Sequence, residues 1–248
     1  MIDVFDPEPL LGGLTVTLDI DVLIGRFPDR PGPDGDATTV MAMLADRGVA
    51  RAAVASLRAA LFDVTAGNAD AMAVPDGVAV GTLDLRDPLG SAAELERLVA
   101  AGVRAVRFFP EEQGVQPDYP SVRHLARLAT DAGLVILTGG DVRRFWRPFA
   151  GLVAGVVFLD THFYHLGDFL LVAADEPGFH TSTRLLTSSD GLEQVAEHVG
   201  ADRLLFGSRA PVYEPYVPLL RLATSSLSAA EKVMVAGGNA RRLLDGDR

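Results

Sequence analysis

Eight short runs of β-branched or apolar residues recur along this sequence, and each is followed by a stretch with helical periodicity. The runs are Leu14–Ile20, Ala50–Ser56, Val78–Leu85, Val103–Phe109, Leu134–Thr138, Gly155–Asp160, His180–Leu186 and Arg203–Phe206. They begin about 27 residues apart, which suits a strand, a helix and two loops but is too long for a hairpin. Because strands that alternate with helices are parallel, eight such units predict an α/β fold, a single (β/α)8 TIM barrel over residues 1–248.

Helix-start signals support this alternation. Ser91 and Glu94 have the spacing of a capping box before the third helix, and Ser228 and Glu231 have the same spacing near the carboxyl end. Asn239 is suited to the N-cap of a closing helix. An open doubly wound sheet is the alternative, but no G-x-G-x-x-G motif follows the first strand. The barrel is therefore favoured, and its chemistry is expected at the carboxyl ends of the strands.

Charge and composition limit the partners. The net charge of −11, from 22 basic and 33 acidic residues, opposes binding to nucleic acid or to an anionic membrane surface. No cysteine is present, which excludes thiol nucleophiles and cysteine-based zinc sites. The segment Met1–Pro7 has acids where a signal peptide has cations. These features predict a cytoplasmic protein whose partners include neither nucleic acid nor a membrane.

Histidine is too scarce for an ordinary histidine-rich metal site. The five histidines are His124, His162, His165, His180 and His198, and no H-x-H or H-E-x-x-H motif occurs. A divalent ion needs about three converging ligands, and the best available set is Asp21, Asp160 and His162. Arg209 would repel such an ion, since a guanidinium does not lose its proton. The sequence therefore predicts neither a metal nor another cofactor.

Candidate site residues lie at the predicted strand ends. Asp21 shares the polar face of the first strand with Asp19, so both are expected to point into the barrel, whereas the alternate residues Leu18 and Ile20 are expected to face the helices. Their natural partners are Arg107 on the fourth strand and Arg209 after the eighth. Either the four form an internal ion-pair network, or one arginine is free to bind the carboxylate of a substrate.

Two further strand ends carry polar groups. Asp160 and His162 follow the sixth strand, and a histidine beside a carboxylate is a candidate acid–base group, although it can equally be structural. Thr138 precedes two glycines, where backbone N–H groups can meet an anion; a plain strand exit is the alternative. These residues complete the predicted site.

Three segments resemble a known family. Asp202–Pro211 is similar to the strand-8 signature of the amidohydrolase superfamily, in its amidohydrolase-2-like branch of hydrolases and decarboxylases. Gly238–Leu243 resembles the closing helix of that branch, and Ala101–Phe108 resembles its strand 4. The resemblance implies the same barrel and an active site with a catalytic divalent metal.

The sequence departs from this family where the metal ligands are expected. The resemblance places Asp21 and Leu23 at the H-x-H pair of strand 1, Thr138 at the histidine after strand 5, and Arg209 at the aspartate after strand 8. The chain is therefore predicted to be a divergent member that lacks the metal ligands.

Two functions remain open. In the first, the protein is a metal-independent hydrolase, lactonase or lyase acting on a small anionic substrate. Arg107, Thr138 and Arg209 would bind the anion, while Asp21, Asp160 or His162 would move protons. In the second, it is a catalytically inactive pseudoenzyme, a homo-oligomer or a partner subunit or regulatory protein of an intact amidohydrolase paralogue. An open mouth lined by His162 and an arginine would favour the enzyme; a mouth filled by Leu23 would favour the pseudoenzyme.

Overall fold

Eight parallel strands follow one another around the sheet in sequence order. The computed structural model describes residues 8–29 and 31–245, so the segment Met1–Pro7 lies outside the described residues. The strands are β1 Asp19–Ile24, β2 Ala52–Ser56, β3 Val78–Thr82, β4 Ala105–Phe108, β5 Val135–Thr138, β6 Val156–Phe158, β7 Phe179–Ser182 and β8 Leu204–Leu205.

Backbone hydrogen bonds join β1 to the end of the sheet at β8. The amide of Ile20 donates to the carbonyl of Phe206 at 2.9 Å, and the amide of Leu23 donates to the carbonyl of Ala210 at 2.8 Å. The predicted (β/α)8 TIM barrel is thus confirmed.

Helices separate the strands and surround them. They are α1 Glu8–Leu11, α2 Ala37–Asp46, α3 Leu57–Leu61, α4 Val64–Met72, α5 Pro88–Ala100, α6 Pro120–Asp131, α7 Val142–Phe145, α8 Leu166–Asp175, α9 Gly191–His198, α10 Tyr216–Ala223, α11 Ala229–Val233 and α12 Asn239–Asp245. Short 3-10 helices lie at Arg147–Phe149, Phe163–His165 and Ala201–Arg203. None of the helices described is long and apolar enough to cross a membrane.

Alternate strand residues build two apolar layers. One layer, with Val54, Val106 and Ile136, packs against the helices, and the other, with Ala55 and Leu137, fills the barrel. The outer layer contains a chain of phenylalanine rings, whose centroids are 5.0 to 6.3 Å apart. The barrel is therefore a packed core, and functional side chains are left to its carboxyl end.

The polar–apolar alternation predicted for the first strand is wrong in part. Leu18 and Ile20, expected on the helix side, belong to the interior layer together with Leu23. The pairing of β1 with β2 shifts register between Asp19 and Val22, and such a bulge reverses the direction of the side chains that follow. Because of this bulge, Asp21 still points into the barrel.

Two of the three cap predictions are wrong as well. Helix α5 begins three residues before Ser91, and Asp87 is its N-cap, accepting from the amide of Gly90 at 3.0 Å. The Ser91 hydroxyl instead donates to the carbonyl of Asp84 at 2.9 Å. The capping box of Ser228 and Glu231 is confirmed.

Asn239 lies inside helical backbone and joins the closing helix to the barrel. Its side-chain amide donates to the carbonyls of Ala201 and Leu204, both at 2.8 Å. Gly237 lets the segment before α12 pass close to the residues before β1, because its φ is 140° and a Cβ atom there would lie 2.5 Å from the amide nitrogen of Leu18. The predicted cap is thus a buried anchor for α12.

Candidate functional site

Five charged side chains meet at the carboxyl end of the barrel. Two come from β1 and β4, and three come from the segments that follow β6, β7 and β8. We call them the guanidinium–carboxylate cluster: Asp21, Arg107, Asp160, Arg184 and Arg209. Carboxyl ends of parallel strands share one edge of the barrel, which is why residues so distant in sequence are neighbours.

Asp21 lies at the centre of this cluster and is fully buried. Its Oδ1 accepts from Nη1 of Arg107 at 2.6 Å, and its Oδ2 accepts from Nε of Arg209 at 3.1 Å. Nε of Arg184 lies 3.7 Å from the same Oδ2. Burial alone would raise the pKa of Asp21, but the three guanidinium groups hold this pKa below its ordinary value, so the carboxylate is ionised.

Asp160 forms the second carboxylate of the cluster. Its Oδ1 pairs with Nη2 of Arg184 and lies 2.8 Å from Nη2 of Arg209. Its Oδ2 accepts from the amide of Gly140 at 2.9 Å. Arg184 and Arg209 therefore both bridge Asp160 to Asp21, and both carboxylates already have cationic partners.

Arg209 has an unusual backbone. Its φ is 60°, the left-handed region, which costs an L residue about 1 kcal/mol. Its amide donates to the carbonyl of Asp21 at 2.5 Å. Burial would lower the pKa of Arg209, but Asp21 and Asp160 hold that pKa above its ordinary value. A strained turn thus places a permanent cation between two carboxylates.

Asp19 lies beside the cluster without joining it. It is fully buried, and its carboxyl accepts from the hydroxyl of Ser208 at 2.5 Å and from the amides of Ser208 and Asp21. Burial outweighs these hydrogen bonds and raises the pKa of Asp19 to about 7. The group consequently changes its charge near neutral pH, in contrast to Asp21.

The structure does not bring Thr138 or the His162 ring into the cluster. Thr138 pairs in register with Phe108 and Phe158 of the outer layer, and its hydroxyl donates to the carbonyl of Gly139 at 3.0 Å. Nδ1 of His162 accepts from the amide of Tyr164 at 3.3 Å, at the start of a 3-10 helix. The His162 ring stacks on the Tyr164 ring, with centroids 5.0 Å apart.

Arg184 was missed by the sequence reasoning, although a signal for it exists. The predicted seventh run, His180–Leu186, contains one charged residue, and strand alternation places it on the same side as His180 and Ser182. A charged side chain on that side must find an opposite charge inside the barrel. The two aspartates of the cluster were its natural partners.

Two glutamates lie at the rim of the mouth, close to the cluster. Glu112 attracts both Arg107 and Arg209 electrostatically. Burial, the nearby Asp160 and Glu112 raise the pKa of Glu111 above its ordinary value. Three guanidinium groups therefore face the three carboxylates of Asp21, Asp160 and Glu112, and within this set the charges balance.

Apolar and aromatic side chains pack beside the cluster at the mouth. Leu23 is 1 % exposed and belongs to the interior layer, which also contains Phe109. The Phe109 ring lies 4.5 Å from the guanidinium carbon of Arg107, and the Tyr213 ring lies 5.1 Å from that of Arg184. Phe27, in the loop after β1, packs against the same layer. Of the five residues of the guanidinium–carboxylate cluster, Arg209 and Asp160 are the most exposed, with side chains 12 % and 16 % exposed, and they form its edge toward solvent.

The cluster does not suit a divalent metal ion. Among the residues that the structure describes, no group of three or more histidine, aspartate or glutamate side chains could hold one. Both oxygens of Asp21 face guanidinium groups, and Leu23 has no donor atom. A divalent ion between Asp21 and Asp160 would have to displace the covalently attached cation of Arg209.

Comparisons with known proteins define the class of fold. No protein-family model and no curated protein matches the sequence. Solved structures do match, and they include a TIM-barrel protein, a decarboxylase, a proposed amidohydrolase and a proposed hydrolase. The predicted resemblance is confirmed in the fold.

Three of these structures cover nearly the whole barrel. A proposed 2-pyrone-4,6-dicarboxylic acid hydrolase from Pseudomonas putida is 18% identical, with a TM-score of 0.73, over 95% of this chain and 99% of that chain. The 2,6-dihydroxybenzoate decarboxylase from Rhizobium is 15% identical, with a TM-score of 0.69, over 94% and 100%. A proposed amidohydrolase from Staphylococcus aureus is 14% identical, with a TM-score of 0.69, over 93% and 99%. At these identities the likeness shows the fold, and the chemistry has to be argued from the site.

Proposed function

We propose that this protein is a non-catalytic barrel of the amidohydrolase type that works as a partner subunit or binding protein of an intact paralogue. The observation that carries the proposal is the position of Arg209, which bridges Asp21 and Asp160. A catalytic group must be free to contact a substrate, whereas both carboxylates here are occupied by guanidinium groups of the same chain.

Charge balance supports a structural role for the cluster. A buried ion is costly unless its charge is compensated, and here three cations face three anions. A substrate carboxylate would meet guanidinium groups that already pair with Asp21 and Asp160. The side chains of Leu23 and Phe109 also occupy space near the carboxyl ends of the strands.

The test combines turnover with identification of the partner. The purified protein is assayed with 2,6-dihydroxybenzoate and 2-pyrone-4,6-dicarboxylate, the compounds named for the similar structures, with Asp160→Asn as the matched control. We expect no difference between the two proteins, and co-purification from the native source with a barrel that retains an H-x-H pair in strand 1. Turnover that Asp160→Asn abolishes, while the circular dichroism spectrum is unchanged, would refute the proposal.

A metal-independent enzyme acting on a small anionic substrate is the second candidate, and Glu111 favours it. Its raised pKa makes Glu111 a proton donor closer to neutral pH, and it is electrostatically coupled to Asp160 at the exposed edge. A protonated carboxyl group beside a guanidinium can protonate a leaving group while the arginine binds an anion. This candidate predicts turnover that Glu111→Gln abolishes and the exposed control Glu96→Gln leaves intact.

A further inference from the structure

A second charged region lies outside the barrel, between α6 and the segment that contains α7. It is a groove of about 460 Å³, and its walls include Asp118, Tyr119, Arg123, Arg144, Arg147 and Pro148. None of these residues belongs to the guanidinium–carboxylate cluster. We call this region the arginine groove.

The arginines of this groove lack carboxylate partners within 4.0 Å among residues 8–29 and 31–245. Arg123 donates through Nη1 to the carbonyls of Pro148 and Ala150, at 2.6 and 2.9 Å. Arg144 donates to the uncharged Oε1 of Gln116. The contacts of Arg123 and Arg144 are therefore with neutral groups, which leave their positive charges uncompensated.

The positive charge of Arg147 is also uncompensated, whereas that of the neighbouring Arg143 is neutralised. The guanidinium carbon of Arg147 lies 5.3 Å from the centre of the Trp146 ring, a contact with a neutral group. Arg143 is bonded to Asp141 through three N–H···O contacts of 2.5 to 3.0 Å. The local chain can thus neutralise an arginine, and it does not do so in the groove.

The charge of the groove is opposite to that of the whole protein. Three guanidinium groups face one lining carboxylate, that of Asp118, so two positive charges are in excess. The protein as a whole has a net charge of −11. A guanidinium fork matches the oxygens of a carboxylate or a phosphate in pairs, so the groove is suited to an anion.

The dimensions and walls of the groove indicate a small ligand. Its volume is in the range of small-molecule sites, roughly 300–1,000 Å³. Tyr119 is 47 % exposed and offers an aromatic face beside the arginines. We propose that the arginine groove binds a small organic dianion, a phosphate ester or a dicarboxylate, at a site separate from the barrel mouth. This inference goes beyond the proposed function and does not depend on it.

The test measures binding by calorimetry with two probes, pyrophosphate and phthalate, which represent the phosphate and the dicarboxylate. We expect a single site with a Kd below about 1 mM for at least one probe, weakened as salt rises because the charges are partly exposed. The double variant Arg144→Gln/Arg147→Gln is expected to weaken binding at least about tenfold. Both side chains are exposed, so the variant should fold.

The control is Arg143→Gln, which removes one positive charge from α7, the helix of Arg144, but from an arginine that Asp141 already neutralises. It is expected to change the Kd by less than about twofold. Equal weakening by this control would show that only the general charge of the surface matters and would overturn the proposal. So would the absence of binding by either probe, or a change of oligomeric state in the double variant, which would make the groove a subunit contact.

Discussion

Replacing Asp21 by asparagine tests whether the cluster holds the barrel mouth together. The substitution changes the side-chain volume little but removes the negative charge that Arg107, Arg184 and Arg209 share. The three cations would then have Asp160 and the more distant Glu112 as their opposing charges. The perturbation is therefore electrostatic, and it leaves packing nearly intact.

The expected loss of unfolding free energy follows from the burial of Asp21 and its partners. Asp21 is fully buried and Arg107 is 2 % exposed, so solvent cannot replace the lost partner. Removing one partner of a buried pair costs about 3–5 kcal/mol of unfolding free energy. For a chain of 248 residues this corresponds to a fall in Tm of roughly 10 °C. The effect should persist in high salt, because buried pairs are screened little.

The assay is urea unfolding followed by circular dichroism at pH 7. Asp34→Asn is the matched control, because it removes the same group from an exposed pair with Arg26, at 2.8 Å, and should leave the unfolding free energy unchanged within error. Adding Arg107→Met to Asp21→Asn should recover part of the loss, since it removes one uncompensated cation. If Asp21→Asn were no less stable than Asp34→Asn, the structural role of the cluster would be refuted.

Three further predictions concern metal, pH and the closing helix. Arg209→Asp alone should bind no stoichiometric zinc in elemental analysis, because Leu23 lacks a donor; an equimolar, tightly held zinc would show that the ligand set is wrong. Because the folded pKa of Asp19, about 7, exceeds its ordinary value of 3.8, this group's stabilisation is greatest below pH 4 and declines as pH rises to 7. Asp19→Asn should remove that decline from unfolding curves measured between pH 5 and pH 8, and an unaltered pH dependence would contradict the assignment. Asn239→Ala should cost about 2 kcal/mol in urea unfolding, because two buried carbonyls, those of Ala201 and Leu204, lose their donor; a loss too small to measure would argue against the anchor.

The fold could be predicted because every unit of the sequence has a strand-like run followed by a stretch with helical periodicity. Each predicted run overlaps one strand, since both faces of a parallel barrel strand are buried and select apolar residues. The first and last residues of the strands were harder to predict. The first run began at Leu14, yet β1 begins at Asp19, because the residues before it bond to Ala236 near the closing helix.

Residues of the candidate site could be predicted only where a position at the end of a strand is enough to bring their side chains together. Asp21, Arg107, Asp160 and Arg209 meet because their strands end at one edge of the barrel. Thr138 points outward because Leu137, its neighbour, belongs to the interior layer, and that alternation could have been counted from the sequence. The orientation of His162 depends on a 3-10 helix, a local choice that no periodic pattern indicates.

The charges of the cluster also show that Arg209 by itself is not enough to balance the carboxylates at the mouth of the barrel. Arg209 alone would supply one positive charge to Asp21 and Asp160 and would leave one buried negative charge, so at least one further arginine is required; Arg107 and Arg184 supply two. With all three arginines present, two aspartates leave a positive excess, which Glu112 compensates from the rim. Asp19 adds no charge to this sum when it is protonated, and its raised pKa favours the protonated form below pH 7. The charges of these six residues thus balance as a set, and a cation that belongs to the chain cannot dissociate from it.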